Sequence, residues 1–168
     1  MTLPLETQVI DASVTFIDRT LVTPLRLSSG LITDVCEASV VVRVRTDGRE
    51  ALGKGSIYLS DFWAWPDPTI SHELRVERLR AICLYIATNL RELCGEPAHP
   101  LVLGLRLHDN LAQPLWGAKA PRVPALALAM CGSPFDAAIH DAAGHATGQS
   151  AFAFYPGGTV LKEADAYF

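Results

Sequence analysis

Residues 35–45 alternate more cleanly than any other part of the chain. Cys36, Ala38, Val40, Val42 and Val44 fall on one face, and Glu37, Ser39, Arg43 and Arg45 on the other. A period of two with one polar face predicts an antiparallel strand that is wet on one side. Thr46-Asp47-Gly48-Arg49 supplies a turn, because Asp-Gly tolerates positive φ. Residues 51–56 then return as a third strand, where Gly53 and Gly55 predict close approach by another backbone. Upstream, residues 9–21 read as a strand with Val14 and Phe16 on one face. Between the first two strands, residues 20–34 hold Pro24, Ser28, Ser29 and Gly30, and the expectation is a mobile loop crossing between them.

The period then changes. Residues 57–68, IYLSDFWAWPDP, form a second long loop, unusually aromatic with Tyr58, Phe62, Trp63 and Trp65. Pro66 and Pro68 exclude a continuous helix there. Ser71 can cap the next helix, and Glu73 is favourable in its first turn. Val76, Leu79, Cys83, Ile86, Leu90 and Leu93 step by three and four as one apolar stripe, and Gly95 is placed to end it. After the linker EPAHP, residues 101–116 are less regular but helical, with Leu103, Leu107 and Leu111 in register. Pro121 and Pro124 open a last helix that runs to about Gly148. The tail QSAFAFYPGGTVLKEADAYF begins like a strand and then loses its pattern. The fold class is α+β: a three-stranded antiparallel sheet followed by a helical bundle, with no βαβ alternation and no internal repeat.

Composition narrows the function classes. Of 168 residues, 49% are hydrophobic and 19% charged, which describes a globular chain rather than a disordered one. A net charge of −4 without a basic run gives no footprint for nucleic acid. Cys36, Cys83, Cys94 and Cys131 form no C-x-x-C pair and lie in apolar surroundings, so their spacing favours buried thiols over disulfides or zinc. The N-terminus has no basic n-region, and no stretch reaches the ~18 apolar residues of a membrane span. The expectation is a cytoplasmic protein that binds neither membrane nor nucleic acid.

Candidate chemistry centres on residues 133–148, SPFDAAIHDAAGHATG. Asp136 and His140 are four apart, as are Asp141 and His145. Ala137, Ala138, Ala142, Ala143 and Gly144 leave little side chain, so this helix is expected to pack closely against something large. His140 and His145 are five apart, a turn of roughly 140° on a 3.6-residue helix, so they do not share one ion. A metal on Asp136 and His140 needs a further ligand that the sequence does not nominate. Caps, salt links or interface hydrogen bonds are the alternative use of these residues. No nucleophile elbow, P-loop or dinucleotide fingerprint is present. His72, His99 and His108 have no visible nucleophile partner. The aromatic loop has two open readings: a lid that touches ligand, or a plug in a hydrophobic seam against another domain.

Several segments occur in a suggestive order. They are the first strand, the Pro24 loop with Ser28-Ser29-Gly30, and the Val40–Val44 strand. The turn Thr46-Asp47-Gly48, the Gly53-x-Gly55 return and the run from Phe135 to Gly148 follow. In this order and spacing, across residues 9–155, the chain resembles the N-terminal capping domain of the enolase superfamily, in its mandelate racemase / muconate-lactonizing branch. Ser56 stands where that family usually has Glu, His140 replaces a common Trp, and His145 replaces a common Lys. The resemblance implies a capping domain over residues 1–148, with 149–168 as the start of a missing barrel domain or a disordered tail. It also implies a partner (β/α) barrel, in cis or in trans, of ~200–250 residues. That barrel would carry Mg²⁺ and the bases for α-proton abstraction from a carboxylate, in a dehydratase, racemase or cycloisomerase. No catalytic and no metal residue transfers to this chain, which alone is expected not to turn over. The lid loops of the family match residues 20–34 and 58–67, and so imply substrate contacts for Pro24, Ser28, Ser29, Tyr58, Trp63 and Trp65. The Ala-rich helix would be the joint to the barrel. Two other readings stand beside this one. The first is a stand-alone protein-binding or self-assembly module, for which a homo-oligomer is expected. The second is a small metal-dependent hydrolase using Asp136, His140 and a remote ligand.

Overall fold

β-branched residues on alternate positions make the central strand, and the sheet is built outward from it. A computed structural model describes residues 5–28, 30–111 and 122–154. Strand β1 is Thr7–Leu27, β2 is Gly30–Thr46 and β3 is Arg49–Leu59. They pair antiparallel in the order β1-β2-β3. Ala38, Val40, Val42 and Val44 of β2 are fully buried, as the alternation predicts. Thr46 pairs with Arg49, and the turn residues Asp47 and Gly48 have φ of 48° and 80°. That is the positive-φ geometry a two-residue hairpin demands.

Residues 20–34 are not a crossing loop. Pairing resumes past an irregularity with Leu25 opposite Ile32, Arg26 opposite Leu31 and Leu27 opposite Gly30. Because Thr20 pairs with Asp34, residues 21–24 bulge opposite Thr33 alone. Pro24 is in that bulge, where no ladder hydrogen bond is asked of it. The breakers therefore interrupt a long β-arm rather than dissolve it. Val22, Leu25 and Leu31 stand exposed along it.

The helices are α1 (Asp61–Ala64), α2 (His72–Cys94), α3 (Pro100–Leu111) and α4 (Ala125–Thr147). The Ser71 side chain accepts the Leu74 N–H at 3.3 Å to start α2. Gly95, at φ 72°, ends it. The stripe Leu79, Cys83, Ile86 and Leu90 is buried as expected. Residues 112–116, Pro121 and Ser29 lie outside the described residues. The segment expected to begin as a strand is a 3₁₀ turn at Ala151–Phe154, which follows the left-handed cap of α4 at Gly148. No described helix is long and apolar enough to cross a membrane. The four cysteines are buried free thiols.

Helix α4 is buried on most of its circumference, and the large surface it packs against is this chain's own sheet. A Cβ on Gly53 would lie 2.1 Å from the Ala138 carbonyl oxygen and 2.2 Å from the Ala142 nitrogen. One on Gly55 would lie 2.0 Å from the Pro134 oxygen. The i, i+4 row Pro134–Ala138–Ala142 thus rides backbone-to-backbone on β3. This corrects the expectation of a joint to another domain: the small residues are used inside the fold. Pro134 lies within the helix and withholds the N–H that Met130 would otherwise receive. Ser133 Oγ donates to that Met130 carbonyl at 3.1 Å instead.

Candidate functional site

At the end of β3 the chain leaves the sheet as Leu59-Ser60 and enters the short α1. Asp61, at its start, is 2% exposed. Arg75 of α2 reaches its Oδ2 with Nε at 2.9 Å and Nη2 at 2.8 Å. His72 Nδ1 meets the same oxygen at 2.9 Å. Arg75 Nη1 also donates to the carbonyls of Asp67, at 2.7 Å, and Ile70. One guanidinium therefore organises residues 61–70, which explains how a proline-rich segment holds a fixed path.

Phe62 joins this segment to the β-arm. Its ring stacks on His72 at 5.0 Å between centroids, and Arg75 lies 5.8 Å over its face. On the arm, a Cβ on Gly30 would come within 3.1 Å of the Phe62 ring, and Gly30 has φ of 150°. The two stretches singled out as lid loops thus meet at one aromatic ring.

Beneath that contact is a recess of about 190 Å³. The arm contributes Ile32, Asp34 and Cys36, and α1–α2 contribute Phe62, His72 and Arg80. Arg80 pairs with Asp18 and lies 5.5 Å over the Phe16 ring. Thr20 and Thr33 hydroxyls donate to Asp34 at 2.7 and 2.8 Å, and these bonds hold its carboxyl below the usual range. Burial pushes the Cys36 thiol up, so it is no thiolate nucleophile.

The six residues named from the sequence do not converge on this recess. Pro24 and Ser28 are exposed on the arm. Tyr58 pairs with Glu37 and is exposed on the outer face of β3, while Trp63 is exposed on α1. Trp65 is only 2% exposed and belongs to the hydrophobic core. Ser29 is not among the described residues. Phe62, His72, Asp34 and Arg80 line the recess in their place. The signals that could have found them were weak: an aromatic one position from Trp63, and a His next to a helix cap.

The Asp–His pairs have structural roles. Strand β3 is a sheet edge, and residues 52 and 54 turn their polar groups away from β2. Asp141 Oδ2 accepts the Lys54 N–H at 2.8 Å. His145 Nδ1 donates to the Leu52 carbonyl at 2.8 Å. Together they answer the open edge. Asp136 packs its carboxylate on Gly104 of α3, where a Cβ would lie 2.1 Å from Oδ1. His140 Nδ1 donates to the Asp136 carbonyl at 2.9 Å and is 3.3 Å from Oδ1. Burial pulls the His140 pKa down, but the side chain, backbone and charge of Asp136 together outweigh it and leave it raised. Nearby Cys94 is pushed up to about 12 by burial, with the Asp136 charge adding to it. No group of three or more His, Cys, Asp or Glu among the described residues is placed to hold a metal ion. The third ligand that a hydrolase built on Asp136 and His140 requires is therefore missing among them.

No protein-family model matches the chain, and no curated protein matches it. Among solved structures it is similar to a crystal structure of an enolase from Bradyrhizobium complexed with magnesium and mandelic acid. The identity is 20% and the TM-score 0.49, over 88% of this chain and 34% of that one. The chain spans about a third of that neighbour's length.

Proposed function

We propose that this chain is the capping domain, occupying residues 1–148, of an enolase-superfamily enzyme of the mandelate racemase / muconate-lactonizing branch. Its role is to cover and select substrate, and the chemistry belongs to a (β/α) barrel present in cis or in trans. The observation that carries the reading is the meeting of the β1–β2 arm and the α1 segment at Phe62. Two separate stretches are joined there, and Trp63, Tyr58, Pro24 and Ser28 of the same stretches are exposed. A lid that excludes water and positions groups over a bound anion needs such a junction.

Mg²⁺ does not fit the described residues. Asp18 and Asp61 are each committed to an arginine, and no three ligands converge. In this reading the carboxylates that hold Mg²⁺, and the bases that take the α-proton of a carboxylate substrate, lie on the barrel. The purified chain is therefore expected to give no turnover with Mg²⁺ on a panel of sugar acids and aromatic 2-hydroxy acids, and turnover would refute the assignment. Joined to a superfamily barrel, it should support α-proton exchange in D₂O. Trp63→Ala should then raise KM more than it lowers kcat.

The exposed apolar residues Val22, Leu25 and Leu31 of the arm and Trp63 of α1 favour a second reading, a stand-alone binding or self-assembly module. Light scattering separates the two, because a defined oligomer of the chain alone supports the module.

A further inference from the structure

His99 stands where three elements meet. Ala98 before it pairs with Thr7 at the start of β1, through Thr7 N–H to Ala98 O (2.9 Å) and Ala98 N–H to Thr7 O (3.1 Å). Pro100 after it begins α3 and has no N–H to cap. The next N–H, that of Leu101, donates to His99 Nδ1 at 3.2 Å, so an imidazole fills the place that Ser or Asp takes at other helix starts. Accepting at Nδ1 fixes the neutral ring with its proton on Nε2. The ring is hydrogen-bonded to the Phe154 backbone, and the Phe154 ring meets it edge-on at 6.2 Å. Phe154 closes the 151–154 turn and is buried. One side chain therefore holds both the start of α3 and the end of the turn that follows α4.

We propose that His99 is a proton-operated latch: neutral, it pins the 151–154 turn to the start of α3, and on protonation it releases that turn. A protonated ring carries a donor at Nδ1 facing the Leu101 donor, so the cap bond is lost. A cation there is also 9% exposed and must swing outward to be hydrated. Leaving removes the edge contact and the bond to Phe154.

The surroundings favour the neutral ring. From α4, His140 faces it, with Asp136 beside His140. From α2, Cys94 is held as the uncharged thiol. From α3, Arg106 is turned to the carbonyls of Cys94 and Glu96. Among the described residues, the start of β1 brings Thr7 and the turn brings Phe154. Burial and then the His140 charge lower the His99 pKa, outweighing the bond to Phe154. Release therefore falls below the ordinary histidine value of about 6.5.

The inference does not depend on the capping-domain assignment, and the chain alone suffices to test it. Hydrogen exchange, corrected for intrinsic rates, should show protection of residues 149–154 and 100–104 at about pH 7.5 and a roughly tenfold loss at about pH 5, with α2 unchanged. His99→Asn keeps an acceptor near the same place but does not titrate, so it should stay closed at both values. His140→Gln removes the repelling charge and should move the release midpoint to higher pH. Equal protection of the wild type at both values overturns the latch, as does the same loss in His99→Asn. If His99→Asn does not fold, a midpoint that is unmoved or lowered in His140→Gln overturns it.

Discussion

Gly55 has no side chain because a carbonyl occupies the place where one would be. A methyl there would lie 2.0 Å from the Pro134 oxygen, and neither backbone can step aside without parting β3 from α4. Gly55→Ala should therefore cost at least about 2–3 kcal/mol, as overpacking against a rigid neighbour does. Urea denaturation measures it. Gly48→Asn is the control: Gly48 has nothing within 4 Å of its would-be Cβ, and Asn tolerates its positive φ, so the change should be within about 1 kcal/mol. His140 gives a pH dependence at the same scale. Its folded pKa is raised, so its contribution is complete below the unfolded value of about 6.5 and is lost as pH rises through the folded one. Relative to His140→Gln, the wild type should lose melting temperature on going from about pH 6 to about pH 8.5. A difference that grows with pH would contradict the Asp136 contact.

At the scale of elements, the Asp61–Arg75 pair decides whether α1 stays on α2. Both side chains are under a tenth exposed, so Asp61→Ala strands a buried guanidinium and should cost about 3–5 kcal/mol. Tryptophan emission should shift to the red in the same titration as the cover over Trp65 loosens, and Trp63→Phe, which removes the exposed neighbour, should keep that shift. These elements were unequally legible in the sequence. The alternation of β2, the stripe and caps of α2, and the closeness implied by Gly53 and Gly55 could all be read, because each depends on neighbours a few positions away. The arm could not: Pro24 and Gly30 are loop residues by local rule, and only the pairing of 25–27 with 30–32 makes them part of strands, with Ser28 left in the turn. The recess was hidden for a related reason. Asp61, His72 and Arg80 are unremarkable one by one, and they line one recess only after α1 turns back onto α2. The burial of Trp65 was not legible because an aromatic in a proline-rich segment reads the same whether it faces solvent or core.

For the whole molecule, the apolar surface is unevenly spent. The inner face of β2 and one side of α4 are consumed internally, while Val22, Leu25 and Leu31 of the arm and Trp63 of α1 stay in solvent, as do Leu52, Leu84, Leu126 and Phe152 elsewhere. The described body therefore carries its own core of sheet and helices. The coverage of β3 has one more consequence. With the Lys54 N–H and the Leu52 carbonyl already engaged by Asp141 and His145, the middle of that flank is a poorer template for another chain's backbone, so fibril-like growth by stacking copies is disfavoured there. Removing both side chains would free those two backbone groups without touching the core, and would leave that border stickier.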